Sequence, residues 1–221
     1  MGYVEIWNVS EKSPISLLEP HTYWIGDVDW SPDDRYLATS GHHSAPQIWD
    51  TQSGELILEG QGEVSDIDWS PDGNQLLDSG RGRIWLLDTQ TPYIFYSDDD
   101  CCIWTVDWSP DGHYIIATMS YGAQIWDADT GEPISQLDDA ELYDILWSPD
   151  GTKILTASVN NQITVWDAET KTALFTFSDY RHRYQGGITW SPDSQQFMFI
   201  KYDNTLVVVD AITGEETAVE N

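Results

Sequence analysis

Aspartates recur on a fixed frame along this chain. Asp27, Asp66 and Asp144 share one position of a repeating pattern, and Asp29, Asp68 and Asp107 stand two residues or one step further along it. Carboxyls gathered in this way could do three kinds of chemistry. Two carboxyls of different proton affinity, about 5 to 9.5 Å apart, hydrolyse glycosidic bonds, and Asp66, Glu63 and Glu141 are the candidates for such a pair. A ring of oxygen ligands would hold a hard cation such as calcium. The same ring would select a basic peptide. Repetition counts against catalysis, because an acid and a base need different surroundings. It favours a plainer role in hydrogen bonding to nearby backbone amides.

Other reactive groups form no working constellation. Asp98-Asp99-Asp100 reads as a solvated loop, and His42-His43 has no second cluster in sequence. Cys101 and Cys102 are adjacent, so they cannot staple distant strands, and with His113 they do not match zinc-ligand spacing. No phosphate-binding glycine loop, Gly-x-Ser-x-Gly elbow or zinc-protease histidine pair occurs. The expectation is therefore a binding protein without catalytic residues, metal or cofactor.

The elements that position these residues follow from one phrase repeated five times. Trp30-Ser-Pro-Asp, Trp69-Ser-Pro-Asp-Gly, Trp108-Ser-Pro-Asp-Gly, Trp147-Ser-Pro-Asp-Gly and Trp190-Ser-Pro-Asp are spaced by 39, 39, 39 and 43 residues. Pro at the second position of a turn and Gly at its exit make this phrase a hairpin connection. A second phrase ends a strand about twenty residues later: Ile48-Trp49-Asp50, Leu86-Leu87-Asp88, Ile125-Trp126-Asp127, Val165-Trp166-Asp167 and Val208-Val209-Asp210. Asp-x-x-Thr-Gly turns, as in Asp127 to Gly131, then lead into a fourth strand. β-branched and aromatic residues fill the segments between, and no segment sustains a helical period.

Four short antiparallel strands per unit of about 40 residues is the signature of a β-propeller blade. With five Trp-Ser-Pro-Asp phrases and three literal Trp-Asp pairs, nearly the whole chain resembles the WD-repeat (tryptophan-aspartate repeat) family. The resemblance implies that Trp30, Trp69, Trp108, Trp147, Trp190, Trp49, Trp126 and Trp166 are core. The chain also departs from the family pattern. The Gly-His dipeptide survives only as Pro20-His21, and the family's structural aspartate only as Asp203, with Asn160 in the same place of another repeat. The resemblance thus implies a largely missing Trp-Ser/Thr-His-Asp network, with stability resting more on aromatic burial.

The expected architecture is an all-β propeller over residues 1–221, with a half-blade at 1–19 and five full blades at about 25–59, 64–96, 103–137, 142–177 and 185–219. A ring that begins at a third strand does not close on paper, and open terminal blades would expose apolar faces. Three solutions stand: further sequence completing six or seven blades, a partner chain or self-association supplying strands, or closure at five blades with the half-blade appended. The first is favoured, since starting a domain at a third strand has no evident physical advantage.

The resemblance further implies a partner surface on one face of the propeller. Carried over residue by residue, that surface takes in the inner-strand bulge positions with Asp27, Asp66, Asp144, Trp104 and Tyr143, and the loop residues Trp24, His43, Arg81 and Tyr121. Large aromatics such as Trp104 and Tyr143 anchor interfaces. The 38 acidic residues against 9 basic ones give a formal charge of −29, which repels nucleic acid and anionic membranes and favours a basic protein or peptide. Met1 to Trp7 lack the features of a signal peptide, and no apolar run is long enough to span a bilayer, so a cytoplasmic location is expected. The leading expectation is a protein-interaction scaffold. The alternatives are a carbohydrate-active, glycosidase-like propeller and a regulatory propeller of a larger signalling protein.

Overall fold

Each Trp-Ser-Pro-Asp phrase builds the same small hydrogen-bonded turn. In the computed structural model, which describes residues 2–21, 24–41, 44–80, 83–86, 91–94, 103–137, 141–181 and 187–219, the Ser70 hydroxyl donates to Asp72 at 2.7 Å and accepts the Gln75 N–H at 3.0 Å. Asp72 in turn accepts the Asn74 N–H, and the Gly73 N–H closes the turn on the Ser70 carbonyl. Gly73, Gly112 and Gly151 exit in the left-handed region at φ 72°, 74° and 71°. Asp34 and Ser194 take the same conformation where the phrase lacks its glycine.

These turns connect the first and second strands of five four-stranded antiparallel sheets, always in chain order. The sheets are β3 (Ile25–Trp30), β4 (Tyr36–Gly41), β5 (Ser44–Asp50) and β6 (Leu56–Glu59); β7 (Ile67–Trp69), β8 (Gln75–Asp78), β9 (Arg83–Leu86) and β10 (Thr91–Ile94); β11 (Val106–Trp108), β12 (Tyr114–Met119), β13 (Gly122–Asp127) and β14 (Pro133–Leu137); β15 (Leu142–Trp147), β16 (Lys153–Ser158), β17 (Ile163–Asp167) and β18 (Ala173–Phe177); and β19 (Ile188–Trp190), β20 (Gln196–Ile200), β21 (Leu206–Asp210) and β22 (Glu216–Val219). Ahead of them β1 (Gly2–Asn8) pairs only with β2 (Ser13–His21). No helix occurs among the described residues. The chain divides into two compact units, Met1–Trp108 and Ser109–Asn221.

In the first unit, β4 is almost wholly buried along its length, as expected of a strand covered on both faces. Ala38, Ile48, Leu58, Val64, Ile67, Trp69 and Leu76 form its main core, and Ile6, Leu18, Leu37 and Trp49 a second one. The Trp49 indole donates to Thr39 Oγ1 at 3.2 Å, and His21 Nε2 lies 3.1 Å from the same oxygen. Part of the polar network expected to be missing is therefore present here. At the place of Thr39 the second sheet carries Asp78, completely buried, whose carboxylate takes the Arg83 Nε–H at 3.1 and 3.2 Å.

Backbone register corrects one reading of the sequence. Leu37 pairs with Trp49 and Leu76 pairs with Trp85, so Trp85-Leu86 stands where Trp49-Asp50 does; Leu87-Asp88 lie outside the described residues. The second sheet reaches this pair over fewer residues, Leu76 to Trp85 against Leu37 to Trp49, and the strand end moves with it.

Trp30 is a second correction. Read as core, it is 44% exposed, whereas its repeat-mate Trp69 is 4% exposed. The Tyr36 ring, from the second strand of the preceding sheet, lies against Trp69, centroids 6.3 Å apart and nearly parallel, whereas the sheet that precedes Trp30, β1–β2, has two strands.

In the second unit β16 is buried like β4, and Trp166 donates to Thr156 Oγ1 at 2.9 Å. Phe177, Tyr180, Phe197 and Phe199 make an aromatic cluster with edge contacts. Trp126 and Trp147 are buried, and Trp166 and Trp190 are partly buried against the two cores of this unit. In the last sheet β20 alternates between buried and exposed residues, leaving Met198 and Ile200 on an open face.

Candidate interaction surface

The recurring aspartates are placed by bulges at the start of the inner strands. Register slips between Ile25 and Val28, and again between Leu142 and Asp144, at two of the five bulge positions expected from the sequence. At the first, the Ser40 hydroxyl accepts the Asp27 N–H at 2.9 Å and donates to the Ser65 carbonyl at 3.1 Å. A Cβ on Gly26 would stand 2.8 Å from that carbonyl oxygen, so only glycine lets the backbones approach so closely. Ser79 repeats the device, taking the N–H groups of Ser65 and Asp66.

The carboxylates then reach from one sheet of the first unit to the next. Asp29 Oδ2 accepts the Trp69 N–H at 2.9 Å, Asp66 Oδ2 the Val106 N–H at 2.7 Å, and Asp68 Oδ2 the Trp108 N–H at 2.6 Å. Asp27 contributes a longer bond of 3.4 Å to the Ile67 N–H. Each bond spans 40 residues. Burial raises the Asp27 carboxyl above its ordinary pKa and lifts Asp29 to about 6, against the Trp69 N–H, which favours the charged form. Burial also raises Asp68, and the negative charges of Asp107 and Asp29 add to it. In the second unit Asp144 Oδ1 accepts its neighbour's Ile145 N–H at 3.0 Å.

This geometry assigns the inner-strand carboxylates to main-chain hydrogen bonding. Asp66, the leading residue for a glycosidase-like pair, has an oxygen committed to Val106, and Glu63 is exposed near the bulge. Among the described residues no three His, Cys, Asp or Glu side chains are arranged to hold a metal ion. The aspartates of the Trp-Asp phrases have a different task. Asp127 accepts the N–H and hydroxyl of Thr130, both at 2.8 Å, and these bonds lower its pKa.

Of the aromatics expected at the surface, Trp24 is 80% and Trp104 49% exposed in the first unit, and Tyr121 and Tyr143 are exposed in the second. The Ser65 hydroxyl donates to the Trp104 carbonyl at 3.0 Å, fixing the backbone from which that ring projects. His43 and Arg81 lie outside the described residues, as do His42, Asp98-Asp99-Asp100 and the two cysteines.

The model of the WD domain, G-beta repeat, matches residues 12–50, 54–86, 90–127 and 131–167. The chain belongs to the WD40 repeat family. The second match ends at Leu86, in agreement with the register that puts Trp85-Leu86 at the Trp-Asp place. Among solved structures, the WD40 fold here is similar to the β-propeller domain of Myceliophteria thermophila Cps50 (Swd1), with a TM-score of 0.84 at 16% identity, covering all of this chain and 80% of that one. Among curated proteins it is 38% identical over 47 residues to nuclear distribution protein PAC1 of Arthroderma otae, and 35% identical over 52 residues to that of Coccidioides posadasii. These matches cover 21% and 24% of this chain, which spans about a tenth of the length of those relatives. WD40 propellers typically serve as protein-interaction scaffolds and generally bind proteins or peptides. Among the described residues no helix is long and apolar enough to cross a membrane.

Proposed function

We propose that residues 1–221 form one interaction module, a cytoplasmic scaffold that holds a basic protein or peptide partner and catalyses no reaction itself. The observation that carries this reading is Trp104, half exposed on a main chain fixed by Ser65. A rigidly held aromatic loses little conformational freedom when it is buried by a partner, which is what an interface anchor needs. Trp24, Tyr121 and Tyr143 extend the exposed aromatic surface within their own units. The formal charge of −29 supports a cationic partner through long-range attraction.

The test is affinity capture on the immobilised chain, with partners identified by mass spectrometry at low and high salt. The Trp104→Ala, Tyr143→Ala double variant should lose the partners that the wild type retains. Retention of the same partners by a folded double variant overturns this choice of surface.

A further inference from the structure

The second unit contains a recess of about 340 Å³ whose walls are Tyr114, Trp147 and Lys171 and whose rim carries Asp111, Asp150 and Glu169. The two rings lie nearly parallel, 21° apart, with centroids separated by 6.5 Å. The Lys171 ammonium sits 5.9 Å from the Tyr114 ring centre and 5.8 Å from that of Trp147, within cation–π range of both. It also donates to the Ala168 carbonyl. Burial lowers its pKa, with the Asp167 charge opposing.

The residue type at Lys171 is unusual for its place in the repeat. Lys171 closes the turn after β17 through its N–H on the Asp167 carbonyl at 2.9 Å. Gly54, Gly131 and Gly214 close the corresponding turns of three other sheets, all at φ 72°. Lys171 holds φ 60°, a conformation that disfavours any L side chain and that glycine adopts freely. Among these four turns Lys171 alone places a side chain at this position. Here that side chain fills an aromatic notch with a cation.

We propose that the Tyr114–Trp147 notch is a docking site for a lysine or arginine side chain of a basic partner, with Lys171 as a resident occupant that the partner displaces. This rests on the reading of the chain as a scaffold for a basic partner. The notch offers what such a side chain seeks: two π-faces for the charge and three acidic side chains at the mouth. Asp111 and Asp150 hold their turn bonds to Ser109 and Ser148 at the same time, so the rim is fixed before a ligand arrives. His113 lies close to Asp111 and Lys153 close to Asp150. Displacement lets one sequence change tune affinity, since the resident competes with the ligand for the same rings.

The experiment measures binding of an N-acetylated, C-amidated hexalysine peptide to the full chain by calorimetry, with Trp fluorescence as a second readout. Lys171→Gly should bind about tenfold more tightly than wild type, the scale of a desolvated cation–π contact. Lys12→Gln, which removes the same charge at an exposed site, should bind like wild type. Adding Tyr114→Leu to Lys171→Gly should cancel the gain without changing net charge. Equal affinity in all four proteins, or no binding in any of them, overturns the proposal. Partners captured by the chain that are lost in Trp104→Ala, Tyr143→Ala but unaffected by Lys171→Gly and Tyr114→Leu overturn the notch and leave the scaffold standing.

Discussion

The Asp29 carboxylate accepts the main-chain N–H of Trp69 at 2.9 Å, 40 residues along the chain, from a site where burial lifts its pKa to about 6. The folded protein therefore holds a proton on Asp29 more tightly than the unfolded chain, whose aspartates titrate near 3.8. Stability from this group is fully present below pH 3.8 and is lost as pH rises through about 6. The rise corresponds to about 3 kcal/mol. Turn aspartates such as Asp127 act in the opposite sense, because their lowered pKa makes their contribution fall away in acid. Urea unfolding between pH 4.5 and 8 should show stability decreasing with pH, and Asp29→Asn should flatten that decrease. An unchanged slope in Asp29→Asn would remove Asp29 as its source.

Trp30 and Trp69 occupy the same place in successive repeats with very different surroundings. Trp69→Ala should cost about 3 to 5 kcal/mol, as for other buried aromatics. Trp30→Ala should cost less than about 1 kcal/mol, because nearly half of that ring is already in water. Thermal melts of the two variants, side by side, decide the matter. Similar losses would mean that Trp30 is covered in solution.

Arg83 and Asp78 form a buried pair in the second sheet. Arg83→Met should destabilise by about 3 to 5 kcal/mol, since it strands a buried carboxylate. Combining it with Asp78→Thr, which restores the residue that the first sheet carries as Thr39, should recover most of the loss. A double variant no better than Arg83→Met would show that the pair is not an independent unit.

Gly26→Ala brings a methyl group within 2.8 Å of the Ser65 carbonyl oxygen. Overpacking of this kind costs about 1 to 3 kcal/mol. Hydrogen exchange should show the loss first at the Asp27 N–H, held by Ser40, and at the Ser65 and Asp66 N–H groups, held by Ser79. Uniformly unchanged protection would contradict the close approach.

Much of the fold was legible in the sequence, because Trp-Ser-Pro-Asp encodes a local turn whose bonds form within six residues. Pairings that depend on hairpin length were less so. Trp85 stands off the common spacing because the hairpin from Leu76 to Trp85 is shorter than that from Leu37 to Trp49. The exposure of Trp30 depends on which strands stand beside it, and a repeat pattern treats all copies alike. The inner aspartates were correctly suspected of bonding to backbone amides, but that the amides belong to the next sheet is a property of three-dimensional packing. Lys171 carries a sequence signal of its own: aligned on Asp-x-x-Thr-Gly, it is a lysine where the corresponding turns carry Gly54, Gly131 and Gly214.

The 40-residue reach of the inner carboxylates bears on how such a chain could lengthen or shorten over generations. Donor and acceptor sit in neighbouring copies of one module, the first copy carrying an acceptor for the second and the second an acceptor for the third. At these junctions, recombination that inserts or deletes a whole module leaves donor and acceptor matched, whereas a break inside a module orphans a buried carboxyl. Inheritance in whole modules is thus favoured by the chemistry of the junction itself.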